Sequence, residues 1–240
     1  MSQKCLNIEV IAPCSPYAPE KLQNGIECLK ARGHYVQAPT PPPQWEHGYL
    51  NGDASFRIKA IKNALLNQDN DVVWIARGGY GLTPLLPLLK EELASLKNCP
   101  KVIGFSDVTA LHCFLLSQKN TISFHGPLAT TLTNETEESI ETTLEWLCDE
   151  TNETSYVNLI PRLKQSSDST HQGRLWGGNL TVLGNLAGTG FLPDLPGIFD
   201  NHQRIVMFAT PPPCESTVEC IAANNVSHMI FGPRRCLTGS

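Results

Sequence analysis

The sequence predicts an α/β fold with an N-terminal, mostly parallel sheet flanked by helices. Three observations carry that expectation. Asp71-Val-Val-Trp-Ile-Ala76 is a short, near-continuous apolar run, the pattern of a strand buried on both faces. Leu22, Ile26 and Leu29 recur at helical spacing, and similar segments stand between the apolar runs. Strand and helix then alternate repeatedly, which argues for parallel pairing with helices covering the sheet.

Taken in order, Ile8-Glu-Val-Ile-Ala-Pro13 reads as the first strand, stopped by Pro13 and a Ser15-Pro16 loop. The helix carrying Leu22, Ile26 and Leu29 ends at Arg32-Gly33, and Tyr35 to Ala38 is a second strand. The proline-rich stretch Pro39 to Pro43 has to be irregular, because prolines lack an N–H and have a fixed φ. Asp53 can cap a helix whose apolar face is Ala54, Ile58, Ile61 and Leu65. After the Asp71 strand come a strand at Val102-Ile103, a helix, and a strand from Thr121 to Phe124. Ile140, Leu144 and Leu147 mark a further helix, opened by Glu135, Glu137 and Glu138. The polar stretch 151–172 reads as a linker between an α/β domain at 1–150 and a second region that starts at 173. There the Gly177-Gly178 pair predicts a tight turn. Asn179 can cap a helix with Leu180, Leu183 and Leu186 on one face, and Gly188 ends it. Val206 to Ala209 can form a strand.

Composition narrows the function classes. Hydrophobic residues make up 41% and charged residues 17%, which suffices for a core. The net charge of −5 leaves no basic stripe for nucleic acid. No run of 18 apolar residues is present, so no membrane partner is expected. Nine irregularly spaced cysteines without a C-x-x-C pair favour free thiols over a disulfide framework or a metal site. With no secretory signal at the N-terminus, the cytoplasm is the expected location.

The chemistry concentrates in two loops. In Lys101 to Cys113 an apolar strand turns sharply through Gly104-Phe-Ser-Asp107 into a helix. A serine at such a turn can be a nucleophile, its hydroxyl lifted out of the sheet beside unpaired helix N–H groups. It can equally cap the helix, and the fuller Gly-x-Ser-x-Gly signature is incomplete because position 108 is Val. Arg77-Gly-Gly-Tyr-Gly81 follows a strand, where open parallel sheets place binding loops. A dinucleotide fingerprint needs glycine at position 84, which is Pro84; a plain turn and an oxyanion or substrate loop remain. Arg77 can hold a substrate carboxylate or brace the loop. His125, before Gly126-Pro127, can be an acid or base or a hydrogen-bonded loop residue.

These motifs, together with Gly173-Arg-Leu-Trp-Gly-Gly-Asn-Leu180 and Gly188-Thr-Gly-Phe-Leu-Pro193, resemble the LD-carboxypeptidase family of serine peptidases in order and spacing. The resemblance covers roughly residues 7 to 197. It implies a cytoplasmic enzyme, without metal or other cofactor, that removes the terminal D-alanine from murein tetrapeptides in cell-wall recycling. It puts Ser106 on the nucleophile, and the N–H of Asp107 with the Gly78-Gly79 turn on the oxyanion hole. It also implies a glutamate in a Leu-Glu-Asp strand and a histidine in a Gly-His loop of a second domain, and neither motif follows residue 199. Glu215, Glu219, His202 and His228 have the right chemistry but no matching motif, so the charge-relay pair stays unassigned. The resemblance implies that the α/β domain is followed by a smaller β-rich domain, which is expected to be incomplete here: residues 173–199 begin it and 200–240 are a divergent, truncated or out-of-frame tail. Impaired activity and a possible homodimer through uncovered apolar surface are expected with it. Within the family a peptidase for a peptide-nucleotide antibiotic is the alternative. Outside it, the alternative is a non-catalytic muropeptide-binding protein.

Overall fold

A computed structural model describes residues 4–42, 48–119, 121, 123–148, 171–193, 204–210, 229–231 and 237–239. Five strands form a parallel array: β1 (Asn7–Ile11), β2 (Tyr35–Gln37), β3 (Val72–Ile75), β4 (Lys101–Gly104) and β5 (Ser123–His125). Their spatial order is β2-β1-β3-β4-β5, and β8 (Met229–Phe231) adds antiparallel beside β5. A second sheet joins β6 (His171–Asn179) to β7 (Arg204–Thr210) in parallel and to β9 (Leu237–Gly239) antiparallel.

The strand residues alternate between two cores, as the period of two along an extended chain requires. Val73, Ile75 and Val102 face one core with Ile61 and Leu65 of α2 (Ala54–Leu66) and Leu86 and Leu89 of α3 (Leu86–Glu92). Leu111 and Phe114 of α4 (Thr109–Lys119) complete that layer with Leu183 and Leu186 of α6 (Leu180–Leu186). Val72, Trp74 and Ile103 face the other core with Leu22, Ile26 and Leu29 of α1 (Pro19–Ala31) and Ile140, Leu144 and Leu147 of α5 (Glu137–Cys148). Helices therefore cover both faces, and the near-continuous apolar runs of β3 and β4 follow from that.

Several local expectations are met in detail. Asp53 accepts the Phe56 N–H at 2.7 Å and so caps α2. Asn179 accepts the Val182 N–H at 3.1 Å and caps α6. Two details differ. Gly177 and Gly178 lie within β6 rather than in a turn, and the reason is close approach: a Cβ on Gly178 would lie 2.5 Å from Thr109 Cγ2. Leu183 and Leu186 are buried, but Leu180 is half exposed, because three-residue steps over two turns drift off the buried stripe. The polar stretch read as a linker lies outside the described residues up to 170, and its last two residues open β6.

Candidate functional site

In the order 2-1-3-4-5 the crevice between β1 and β3 is the topological switch point, where ligands bind beyond the carboxyl ends of the strands. The loops after β1, β3 and β4 meet there. Ser106 has φ +67° and is the one non-glycine residue with positive φ among those described. An L-residue held there is strained by about 1–3 kcal/mol, and such strain gathers at functional sites. Phe105 occupies the N-cap position of the short turn that leads into α4, so Ser106 is not the cap.

The loop after β3 presses against the serine. A Cβ on Gly78 would lie 2.8 Å from Ser106 Cβ and 3.3 Å from its Oγ. Gly79 has φ +110°, and a Cβ there would sit 2.2 Å from Ser15 Oγ. Two contacts to the β1 loop fix the turn. The Ser15 N–H donates to Gly78 O at 3.2 Å, and the Tyr80 N–H donates to Ser15 Oγ at 3.3 Å. Since the carbonyl and N–H of a trans peptide point opposite ways, tying Gly78 O to Ser15 turns the Gly79 N–H away from that loop. Arg77 is exposed and donates to Pro16 O at 2.6 Å, so it braces the β1 loop through a carbonyl.

Behind Ser106 the groups are buried. The Asp107 carboxylate accepts the Leu82 N–H at 3.0 Å. Burial pushes its pKa above the ordinary carboxylate value, while the Leu82 N–H, the Cys14 thiol and the Arg57 charge pull it back down in part. His112 bonds Gly104 O at 2.8 Å through Nε2 and Ser123 Oγ at 2.9 Å through Nδ1. A carbonyl can only accept, so Nε2 carries the proton and Nδ1 accepts from the Ser123 hydroxyl. Burial lowers the His112 pKa to about 4, and burial together with the neighbouring His112 lowers that of His125 to about 3. Both are neutral core histidines at ordinary pH, and His125 is the last, buried residue of β5 rather than a loop residue. No group of three metal-ligating side chains occurs among the described residues. A shallow polar cleft lined by Asn7, Lys30, His34, Gln37 and Asn70 opens beside the amino end of β1, away from these loops.

Glu215, Glu219, His202 and His228 lie outside the described residues. The residue that sequence reasoning missed is Arg57, 4% exposed beneath the loops. Its signal was present, since it stands four residues before Ile61 on the apolar face of α2.

A profile of the LD-carboxypeptidase N-terminal domain matches residues 8–126. A Rickettsia conorii protein bearing a carboxypeptidase name is 31% identical over 96% of this chain and 74% of its own length. The chain belongs to the LD-carboxypeptidase family. A match of that extent takes in most of residues 200–240. Among other relatives, a murein tetrapeptide carboxypeptidase of Pseudomonas aeruginosa is 29% identical over 76% of this chain and 60% of its own length. The crystal structure of a muramoyltetrapeptide carboxypeptidase from Oxalobacter formigenes superposes with a TM-score of 0.63 at 31% identity, covering 78% of this chain and 62% of that one. This LD-carboxypeptidase chain therefore spans three fifths to three quarters of these relatives' lengths. Among its described residues no helix is long and apolar enough to cross a membrane.

Proposed function

We propose that this chain bears the nucleophile of a serine LD-carboxypeptidase that releases the terminal D-alanine of murein tetrapeptides. The observation that carries the reading is Ser106 at φ +67° beyond the carboxyl end of β4, with Gly78 packed against its side chain. In this reading Ser106 Oγ attacks the carbonyl carbon of the bond to D-alanine. The negative charge that develops on the carbonyl oxygen is met by N–H groups of Asp107 and of the Gly78-Gly79 turn. D-Alanine leaves with a proton on its amine, and water then hydrolyses the acyl-serine ester. Arg77, exposed beside the turn, is the proposed partner of the substrate carboxylate. One such oxyanion donor is worth about 10²–10³ in kcat. The division into a nucleophile domain at 1–150 and a second domain beyond 172, the cytoplasmic location and a homodimer belong to the same proposal.

The murein peptide is supported by the similarity to the murein tetrapeptide carboxypeptidase of Pseudomonas aeruginosa and the muramoyltetrapeptide carboxypeptidase of Oxalobacter formigenes. A second reading rests on the Escherichia coli microcin C7 self-immunity protein, 27% identical over 48% of this chain, and makes an aminoacyl sulfamoyl nucleoside the substrate. The test is D-alanine release from L-Ala-γ-D-Glu-meso-diaminopimelate-D-Ala, with aspartyl sulfamoyl adenosine run in parallel. Turnover of the tetrapeptide that disappears in Ser106→Ala is the expected result. Equal rates for the parent and Ser106→Ala would sink the nucleophile assignment, and calorimetric binding without release would identify a muropeptide binder.

A further inference from the structure

Arg57 and Asp107 are the buried charges beneath the candidate site, 4% and 3% exposed. A buried charge persists only where partners compensate the loss of water. Arg57 Nη1 donates to Gly81 O at 2.8 Å and to Pro13 O at 3.2 Å, and its Nε donates to Gly52 O at 3.2 Å. Asp107 accepts the N–H of Leu82 at 3.0 Å. The Gly81–Leu82 peptide is thus held at both ends, its carbonyl by the cation and its N–H by the anion. The β1 loop is held by the same cation through the Pro13 carbonyl, and the neighbouring Cys14 thiol lies within electrostatic reach of Asp107. Gly81 makes the approach possible: its φ is +120°, and a Cβ there would lie 2.5 Å from Arg57 Nη1.

We infer that Arg57 and the Asp107 carboxylate are positioning groups, a clamp that grips the loops after β1 and β3 and so sets the Gly78-Gly79 turn against Ser106. The inference rests on the reading of that turn as the oxyanion site. The clamp needs a planar fork rather than a bare charge, because one guanidinium serves three carbonyls in different directions. A lysine ammonium keeps the charge but not that geometry. An asparagine at 107 keeps an acceptor for Leu82 and removes the charge.

The test compares the full chain with Arg57→Lys, Asp107→Asn and Ser106→Ala by amide hydrogen exchange and by D-alanine release. Exchange of the Cys14 and Ser15 amides and of those across 78–82 is expected to rise about 10–100-fold in Arg57→Lys and Asp107→Asn, the worth of a hydrogen bond to a charged group. Strand β3 and helix α4 keep their protection, and kcat falls with KM nearly unchanged. Unchanged loop exchange overturns the clamp, as does equal acceleration of β3 and α4, which marks general destabilisation. Loosened loops with an unaltered kcat overturn its link to the turn. If the parent chain and Ser106→Ala show the same turnover, the nucleophile reading fails, and the exchange data still decide the clamp. Asp107→Asn carries the test where Arg57→Lys does not fold.

Discussion

Replacing Gly78 with alanine adds one methyl group at the point where the β3 loop meets Ser106. That carbon would lie 2.8 Å from Ser106 Cβ and 3.0 Å from Phe105 O. Carbon atoms in contact settle at about 3.5–4.0 Å, so loop and serine have to part by about 1 Å. Gly78 is not among the positive-φ glycines, and alanine can adopt its backbone, so the effect is steric alone. Overpacking of this kind costs about 1–3 kcal/mol, and each kcal/mol lowers the melting temperature by about 2–4 °C at this size. A displacement of 1 Å at the reacting atoms costs about 10²-fold in rate, far more than the stability loss explains. The assay is kcat and KM for D-alanine release, beside a thermal melt of the same preparation. Gly184→Ala is the control, since a Cβ there meets nothing within 4 Å. It should gain about 0.5–1 kcal/mol in helix stability and leave kcat alone. A folded Gly78→Ala protein with the parental kcat would refute a catalytic role for the contact between this loop and Ser106, the proposed nucleophile.

Other outcomes follow from the buried groups and caps. His112 and His125 titrate at about 4 and about 3 in the folded chain, below the ordinary 6.5. The unfolded chain then binds more protons as pH falls, so their contribution is complete above about pH 6.5 and is lost progressively down to about 4 and 3. At about 1.4 kcal/mol per unit this is roughly 3 kcal/mol for His112, and urea midpoints measured from pH 7 to 4 should fall less steeply in His112→Gln. Asn179→Ala removes the α6 cap and should cost about 1 kcal/mol in denaturant unfolding. Leu183→Ala should cost about 2–5 kcal/mol, while Leu180→Gln, at a half-exposed position, stays within about 0.5 kcal/mol.

What the sequence made legible follows the period of its side chains. Leu22, Ile26 and Leu29 announce α1, and Asp71 to Ala76 announces β3, because burial imposes those patterns directly. Helix α3 carries no such announcement. Proline ordinarily interrupts a helical pattern, yet Pro87 lies in the first turn of α3, where a missing N–H costs nothing. Leu180 was read onto the buried face because spacing alone cannot tell the centre of an apolar stripe from its edge. At the site, the elbow was visible because a serine and glycines at a strand-to-helix turn constrain the backbone locally. The burial of Arg57 could be read from its place on the apolar face of α2, but its partners could not, because Pro13, Gly52 and Gly81 offer backbone carbonyls, which leave no trace in side-chain pattern.

The position of β4 between β3 and β5 has a consequence for how function is lost on heating. Edge elements such as β2 can fray while the rest of the sheet stays paired. A strand hydrogen-bonded on both sides, with Val102, Ile103 and Gly104 buried, has no comparable small opening. The serine at its end therefore shares the lifetime of the whole sheet, and thermal inactivation and global unfolding should coincide on one curve.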